Sequence, residues 1–259
     1  MIRPWMVLVA MAGCGAMTSW IWPEHLALHL PLVFLAFFAL GAWGSVSLRS
    51  GLWCRAVWRA RSGRPEVALT YDDGPDPAST PALLDLLAAR GVRATFFCVG
   101  AKVRAAPELV RRMRDEGHVL ANHSDGHSLW TNLYSTGRMT EEVRAAQHSL
   151  EEVAGRRPRY FRPPFGYANH ATGGVADALG LEVVGWDVRS FDTFIADPRR
   201  VAERVLARAR PGSVVLLHDG GLPAERVVPA TEAILDGLEA RGLRPVGLEE
   251  LLTQGSSGR

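Results

Sequence analysis

The hydrophobic pattern changes character once along the chain. Trp5 to Trp22 and Leu26 to Trp43 are two long apolar runs without Asp, Glu, Lys or Arg, separated only by Pro23-Glu24-His25. Each approaches the roughly 20 apolar residues that a helix needs to cross a bilayer. Trp5, Trp20, Trp22 and Trp43 fall where interfacial aromatics sit. The pattern predicts a membrane anchor of two transmembrane helices over residues 1–45. A signal peptide competes for the first run, because Arg3 supplies a short basic region and Met11-Ala12-Gly13-Cys14 an imperfect lipoprotein cleavage box. Cleavage there would still leave the second run as an anchor. Residues 46–65 read as a basic amphipathic linker. Within it Leu48, Leu52, Trp53, Val57 and Trp58 alternate with arginines at a spacing suited to a helix on an anionic membrane surface, with an ordinary basic linker as the alternative.

From Glu66 onward short apolar runs alternate with amphipathic ones. Strands are predicted at Val67 to Tyr71, Ala94 to Val99, Val119 to Asn122, Tyr160 to Phe161, Glu182 to Trp186, Val214 to Leu217 and Arg244 to Val246. Helices are predicted near Thr80 to Arg90, Pro107 to Glu116, Thr140 to Val153, Thr172 to Leu179, Pro198 to Ala209 and Ala224 to Ala240. Gly91, Gly117, Gly155, Gly180 and Gly242 stand where helices should stop, and Pro107 and Pro198 where they should start. Strand alternating with helix implies a mostly parallel sheet, closed as a barrel or open and doubly wound. Periodicity does not choose between the two. The α/β unit is expected to span residues 66–253, with 254–259 as a flexible tail.

Composition removes several alternatives. A chain that is 47% hydrophobic, 22% charged and only +2 in net charge is not of the intrinsically disordered class. Its basic residues are scattered rather than gathered with aromatics, so no nucleic-acid partner is indicated, and no obligate protein partner is evident either. Cys14, Cys54 and Cys98 are odd in number and far apart, which implies neither a disulfide framework nor a thiolate metal site. Charge also bears on orientation. Arg49, Arg55, Arg59, Arg61 and Arg64 follow the second apolar run while the connection between the runs has no Lys or Arg. The positive-inside rule then places both ends in the cytoplasm of a bacterial-type inner membrane, and a cleaved first segment would place the domain outside.

In parallel α/β folds functional groups gather at the carboxyl ends of the strands. Asp72 and Asp73 follow the first predicted strand, His123 and His127 the third, Arg162 the fourth, Asp187 and Asp192 the fifth, His218 and Asp219 the sixth. Adjacent carboxylates are costly unless a cation or an arginine holds them. The alternative for that pair is a solvated Asp-Gly-Pro turn. His123 and His127, four apart, would lie on one face of a helical turn, where two imidazoles and one carboxylate leave a coordination position for water. Satisfied core histidines are the alternative for an isolated pair. His118 reads as a structural histidine at a strand start.

Together these segments resemble the polysaccharide deacetylases with a NodB homology domain, carbohydrate esterase family 4, over roughly Val67 to Leu251. Thr70 to Pro75 is similar to the family's TFDDGP run with Tyr71 for Phe, and His123 to His127 to its HSxxH motif. Arg162-Pro163-Pro164-Phe165-Gly166 resembles the third motif, and Leu216 with His218 the last. The resemblance implies a parallel-stranded, distorted (β/α) barrel of the NodB type. It implies a divalent metal, zinc first with Co2+, Ni2+ or Mn2+ as alternatives, held by Asp73, His123 and His127. It further implies Asp72 as general base, His218 as general acid, and Arg162 paired with Asp72. Phe165, Leu216, Pro163 and Trp186 become the substrate-binding candidates, with a backbone N–H near Phe165 at the oxyanion.

The fourth motif departs from the family pattern, which is close to Asp-x-x-Asp-Trp. Arg189 stands for the first Asp and Thr193 for the Trp, so only Asp192 matches. Asp192 is the expected partner of His218, with Asp187 and Asp219 as rivals. The expected activity is metal-dependent removal of an N-acetyl group from an amino sugar of a glycan or membrane glycolipid. An O-acetyl esterase and a non-catalytic glycan-binding protein are the alternatives.

Overall fold

A computed structural model describes residues 9–10, 13–17, 20, 26–61 and 63–253. The first predicted membrane run and the 254–259 tail fall largely or wholly outside the described residues. The second run is a helix, α1 (Leu26–Val46), whose His29–Val46 segment is long and apolar enough to cross a membrane. Among the described residues it is the one such helix, and only 6% of that segment is buried. Phe34, Leu35 and Phe38 are each more than three-fifths exposed. By length and composition the segment could serve as a membrane anchor or as part of a signal sequence.

The rest is a curled parallel sheet covered by helices. Its strands are β1 (Ala56–Val57), β2 (Glu66–Asp72), β3 (Thr95–Cys98), β4 (Val119–Asn122), β5 (Tyr160–Phe161), β6 (Glu182–Val184), β7 (Val188–Arg189), β8 (Val214–His218) and β9 (Arg244–Val246). They lie in the order β1-β6-β5-β4-β3-β2-β8-β7, and all these pairs are parallel. β9 pairs with the first residues of β2 (Glu66 to Ala68) and β3 with the last (Thr70 to Asp72), so one edge of β2 serves two neighbours and the sheet bends there. The helices are α2 (Thr80–Ala89), α3 (Gly100–Ala105), α4 (Pro107–Asp115), α5 (Thr136–Ala154), α6 (Thr172–Ala178), α7 (Pro198–Leu206), α8 (Ala224–Ala240) and α9 (Leu248–Thr253).

The two-residue period of a strand sorts its side chains between two compartments. On β2 and β8, Val67, Leu69, Tyr71, Val215 and Leu217 point outward into a core shared with α2, α7 and α8. Ala68 and Val214 belong to the inner core, which also takes Leu248 and Leu251 from α9. The same inward row continues up β2 as Thr70 and Asp72, and up β8 as Leu216 and His218. β2 is buried at every position, as a central parallel strand must be. The apolar row therefore ends in polar groups at the carboxyl edge.

Two elements lie in the stretch that the sequence presents as a linker. Leu48 to Trp58 is not a surface helix: a short 3-10 turn at Leu48–Ser50 leads into β1, which adds to the sheet beside β6. Leu48 and Cys54 are buried against α6 and β6. The spacing of the apolar residues there serves a strap with one side against the domain, rather than a helix with one side against lipid. Arg59 bridges to Ser213, and Ala60 N–H donates to Gly212 at 2.9 Å. At the top of the strap Trp53 Nε1 donates to Ser45 Oγ at 3.1 Å, which ties the strap back to α1.

Candidate active site

β2 ends in Asp72 and β8 in His218, and the register sets these two residues side by side. Asp72 is 4% exposed and Arg162, brought in from just beyond β5, is fully buried. Arg162 Nη1 donates to Asp72 Oδ1 at 2.6 Å and to Thr70 Oγ1 at 2.9 Å. Its Nε and Nη2 donate to the carbonyls of Val184 and Gly185, and the guanidinium lies 4.0 Å from the Phe97 ring centre. A buried charge needs this degree of satisfaction, because an unpaired one costs several kcal/mol. The Arg162 carbonyl also orients a neighbour, accepting from His123 Nδ1 at 2.7 Å. A donating Nδ1 leaves His123 Nε2 as an acceptor.

That Nε2 lies 3.3 Å from Asp73 Oδ1, and His127 Nε2 lies 3.0 Å from the same oxygen. All three ligand atoms fall within 4.8 Å of one another. Asp73 Oδ1 is buried and makes no hydrogen bond despite the two imidazole nitrogens beside it, an orphaned acceptor that a cation would satisfy. Two imidazoles and a carboxylate in this arrangement fit a divalent cation. The two histidines do not share a helical turn. They leave β4 on a loop that reverses through positive φ at Ser124 (64°) and His127 (45°), with ring centres 4.9 Å apart. The loop is fixed by Gly100 and Ala101 N–H groups donating to the Ser124 and Asp125 carbonyls, and by Arg104 on Asp125 at 2.6 Å.

Among the described residues five non-glycine positions have positive φ: Asp73, Ser124, His127, Phe165 and Phe191. All five lie on loops of this site. Such conformations cost about 1–3 kcal/mol each and persist where surrounding contacts dictate them. At Asp73 the constraint is visible. Lys102 Nζ donates to its carbonyl at 2.7 Å, and the next residue, Gly74, lies so close to Asp219 that any side chain there would collide with the carboxylate.

His218 is held from behind. Its Nδ1 is 2.8 Å from Asp192 Oδ1 and its backbone N–H donates to Asp192 Oδ2 at 2.7 Å. Asp192 also takes the Ser190 hydroxyl at 2.9 Å. Burial disfavours a charged imidazole, but the Asp192 hydrogen bond and charge outweigh it and push the His218 pKa up to about 9. The rivals have other partners. Asp187 accepts from Ser213 Oγ and the Val214 N–H. Asp219 accepts from Thr80 Oγ1 at 2.6 Å, and burial pushes its carboxyl up to about 7. At the altered fourth motif, Arg189 and Arg204 both stack on Phe191, at 4.7 and 4.2 Å. The residue in the first Asp position is thus an exposed cation packed on an aromatic ring.

The structure brings Phe165 to the His127 ring, 4.6 Å between centres, and leaves it 39% exposed at the mouth. Pro163 is buried below it. Trp186 lies 5.5 Å from the Arg162 guanidinium and packs on Gly166, whose positive φ and missing side chain admit the indole. Leu216 is buried in the row between Thr70 and Arg189. His118 is buried, accepting from Ala94 N–H at Nδ1 and packing edge-on against Phe96, away from the site. Lys102 and Ser190 belong to the site without a sequence signal that singles them out. Lys102 follows β3, the one early strand whose carboxyl end carries its polar residue a turn into a helix. Ser190 stands inside the motif that has lost its other markers.

Residues 59–184 match the polysaccharide deacetylase family. A peptidoglycan-N-acetylglucosamine deacetylase of Bacillus cereus is 35% identical over 198 residues, covering 76% of this chain and 92% of the relative. A chitooligosaccharide deacetylase of Sinorhizobium fredii is 36% identical over 204 residues, covering 73% and 92%. The crystal structure of a peptidoglycan N-acetylglucosamine deacetylase superposes with a TM-score of 0.71 at 29% identity, over 76% of this chain and 92% of the other.

Proposed function

Because the chain belongs to the polysaccharide deacetylase family, we propose that it is a membrane-anchored hydrolase that releases acetate from an N-acetylated amino sugar of a glycan or glycolipid. The observation that carries this reading is the register of β2 and β8, which sets the arginine-held Asp72 beside the carboxylate-held His218 at the rim of the Asp73, His123 and His127 cluster. In this reading residues 1–45 form the anchor, 46–65 the strap and 66–253 the catalytic unit.

Asp72 acts as general base. Arg162 holds its Oδ1 and leaves Oδ2 to take a proton from the attacking water. The water oxygen bonds to the acyl carbon while the carbonyl electrons move to its oxygen, and a backbone N–H near Phe165 is the candidate to receive that charge. His218, protonated on the ring nitrogen that does not face Asp192, then gives its proton to the departing nitrogen as the C–N bond breaks. Acetate and the free amine are the products. Asp73, His123 and His127 would hold a divalent metal, zinc by ligand type, which supplies Lewis acidity at the acyl oxygen. Leu216 and Trp186 border the acyl group, and Phe165 offers its ring face to the sugar. An O-acyl ester would meet the same groups; matched N-acetyl and O-acetyl sugars assayed in parallel distinguish the two.

Asp72→Asn is expected to lower kcat by roughly 10²–10⁴-fold while bound metal is retained, as befits a lost general base. His123→Ala or Asp73→Asn should remove both metal and turnover. Acetate release and elemental analysis on the same preparations read the two effects, and full activity of Asp72→Asn would refute the assignment.

A further inference from the structure

The loop that follows His127 exposes large apolar side chains beside the site. Leu129, Trp130 and Leu133 are 75%, 68% and 75% exposed. Yet its polar groups are turned inward. The Thr131 N–H and hydroxyl both donate to the Ser128 carbonyl, Trp130 N–H to Ser128 Oγ, Leu133 N–H to the Trp130 carbonyl and Tyr134 N–H to the Thr131 carbonyl. The Asn132 and Tyr134 carbonyls accept from the Asn169 side chain at 3.1 and 3.0 Å. A loop that bonds much of its own backbone internally and turns its apolar side chains outward suits a surrounding poor in hydrogen-bond partners.

Its position says which surrounding. The residue before Asn169 is Ala168, whose N–H donates to the carbonyl of Ser45 in the last turn of α1 at 2.9 Å. The loop is therefore clamped, through one dipeptide, to the point where the apolar helix meets the domain, next to exposed Trp43 and Val46. Tyr167 and Phe165, both partly exposed, continue the patch to His127. No Asp or Glu occurs between residues 126 and 140, so nothing in the loop repels an anionic headgroup layer.

We infer that the loop of residues 128–135 is a second membrane contact, which seats Leu129, Trp130 and Leu133 in the bilayer interface and turns the mouth of the site toward the headgroups. This inference rests on the reading of α1 as a membrane anchor. It deepens the proposed function by assigning the substrate to a lipid-linked, N-acetylated amino sugar. A sugar-stacking platform would also use Trp130, but would offer it polar neighbours for hydroxyls, and here the two hydroxyls beside Trp130, those of Ser128 and Thr131, are bonded within the loop, while Asn132 Oδ1 is buried.

The test uses the full chain with Cys14→Ser, in vesicles of phosphatidylcholine and phosphatidylglycerol. An environment-sensitive fluorophore is placed on Trp130→Cys, on Leu35→Cys in α1, and on Glu232→Cys at the far side of the domain. Quenching is expected at position 130 by lipids spin-labelled near the headgroup, at position 35 by lipids spin-labelled deep in the acyl chain, and at 232 by neither. Quenching at 35 without 130 overturns the loop contact and leaves the anchor standing; quenching at neither removes the anchor and the inference together. The triple substitution Leu129→Ser, Trp130→Ser, Leu133→Ser should lower turnover of an N-acetylated glycolipid in those vesicles by roughly tenfold, from lost interfacial burial. Turnover of a soluble N-acetylated oligosaccharide should stay unchanged. A raised KM for the soluble sugar would instead identify a glycan platform and overturn the proposal.

Discussion

At the scale of single residues the site is organised by carboxylates with separate roles. Asp72 belongs to Arg162, Asp73 to the two histidines, Asp192 to His218 and Asp219 to the turn at Thr80. The Asp192 pairing makes a signed prediction. Its hydrogen bond and charge raise the His218 pKa to about 9, against the effect of burial. Asp192→Asn removes the raising influence, so the alkaline limb of the kcat/KM profile should move to lower pH, with KM for the sugar little changed. The same pair stabilises the fold. A raised histidine pKa contributes stability that is complete below the ordinary imidazole value and is lost as pH rises through about 9. Urea midpoints of the parent and Asp192→Asn should therefore differ at pH 6 and converge above pH 9. A variant with an unshifted pH–rate profile would leave Asp192 a structural role only.

At the scale of elements the strap is the part that sequence and structure describe differently. β1 covers the outer edge of β6, and Leu48 and Cys54 close the apolar cluster under α6. Deleting residues 1–60 should thus expose a strand edge and an apolar face at once, which favours edge-to-edge association. Lower thermal stability and a larger species in light scattering are expected for that variant, compared with one that retains residues 47–259. The major strands and helices are legible in the sequence because each carries a strong period and a stop signal. Val119–Asn122, Tyr160–Phe161, Arg244–Val246 and Ala224–Ala240 fall at the residues where the pattern puts them. β1 and β7 are not, since Ala56–Val57 lies among arginines in what reads as a linker and Val188–Arg189 follows β6 with no helix between, so their pairing is decided by partners distant in sequence. The helical turn expected for His123 to His127 fails for a related reason. A four-residue spacing reports closeness, and Ser124 and His127 reach it through positive φ instead. The chemistry at the strand ends is legible as residue types; that the Arg162 carbonyl also orients His123 is not, because backbone contacts leave no mark on composition.

At the scale of the whole molecule the Asp73, His123 and His127 cluster is carried on loops, apart from the apolar cores of the sheet. Chelation should accordingly abolish acetate release while leaving the far-UV dichroism in place. It should lower the unfolding free energy by the lost binding energy, about 2.7 kcal/mol for a metal present at a hundred times its Kd, and with it the melting temperature. Zinc added back should restore both. Unfolding on chelation would mean instead that the cluster is part of the core.

The union of α1, strap and sheet also bears on reach. A flexible linker of about 20 residues would let a tethered domain sweep on the order of 25 Å from its root. Here the chain between the helix and β2 is consumed in a 3-10 turn, a strand and a bridge, and Ala168 holds the helix end directly. On the membrane reading the site then has a fixed stand-off from the bilayer. It cannot search the third dimension, and substrate must arrive by lateral diffusion. The effective concentration it experiences is a mole fraction in the plane of the membrane.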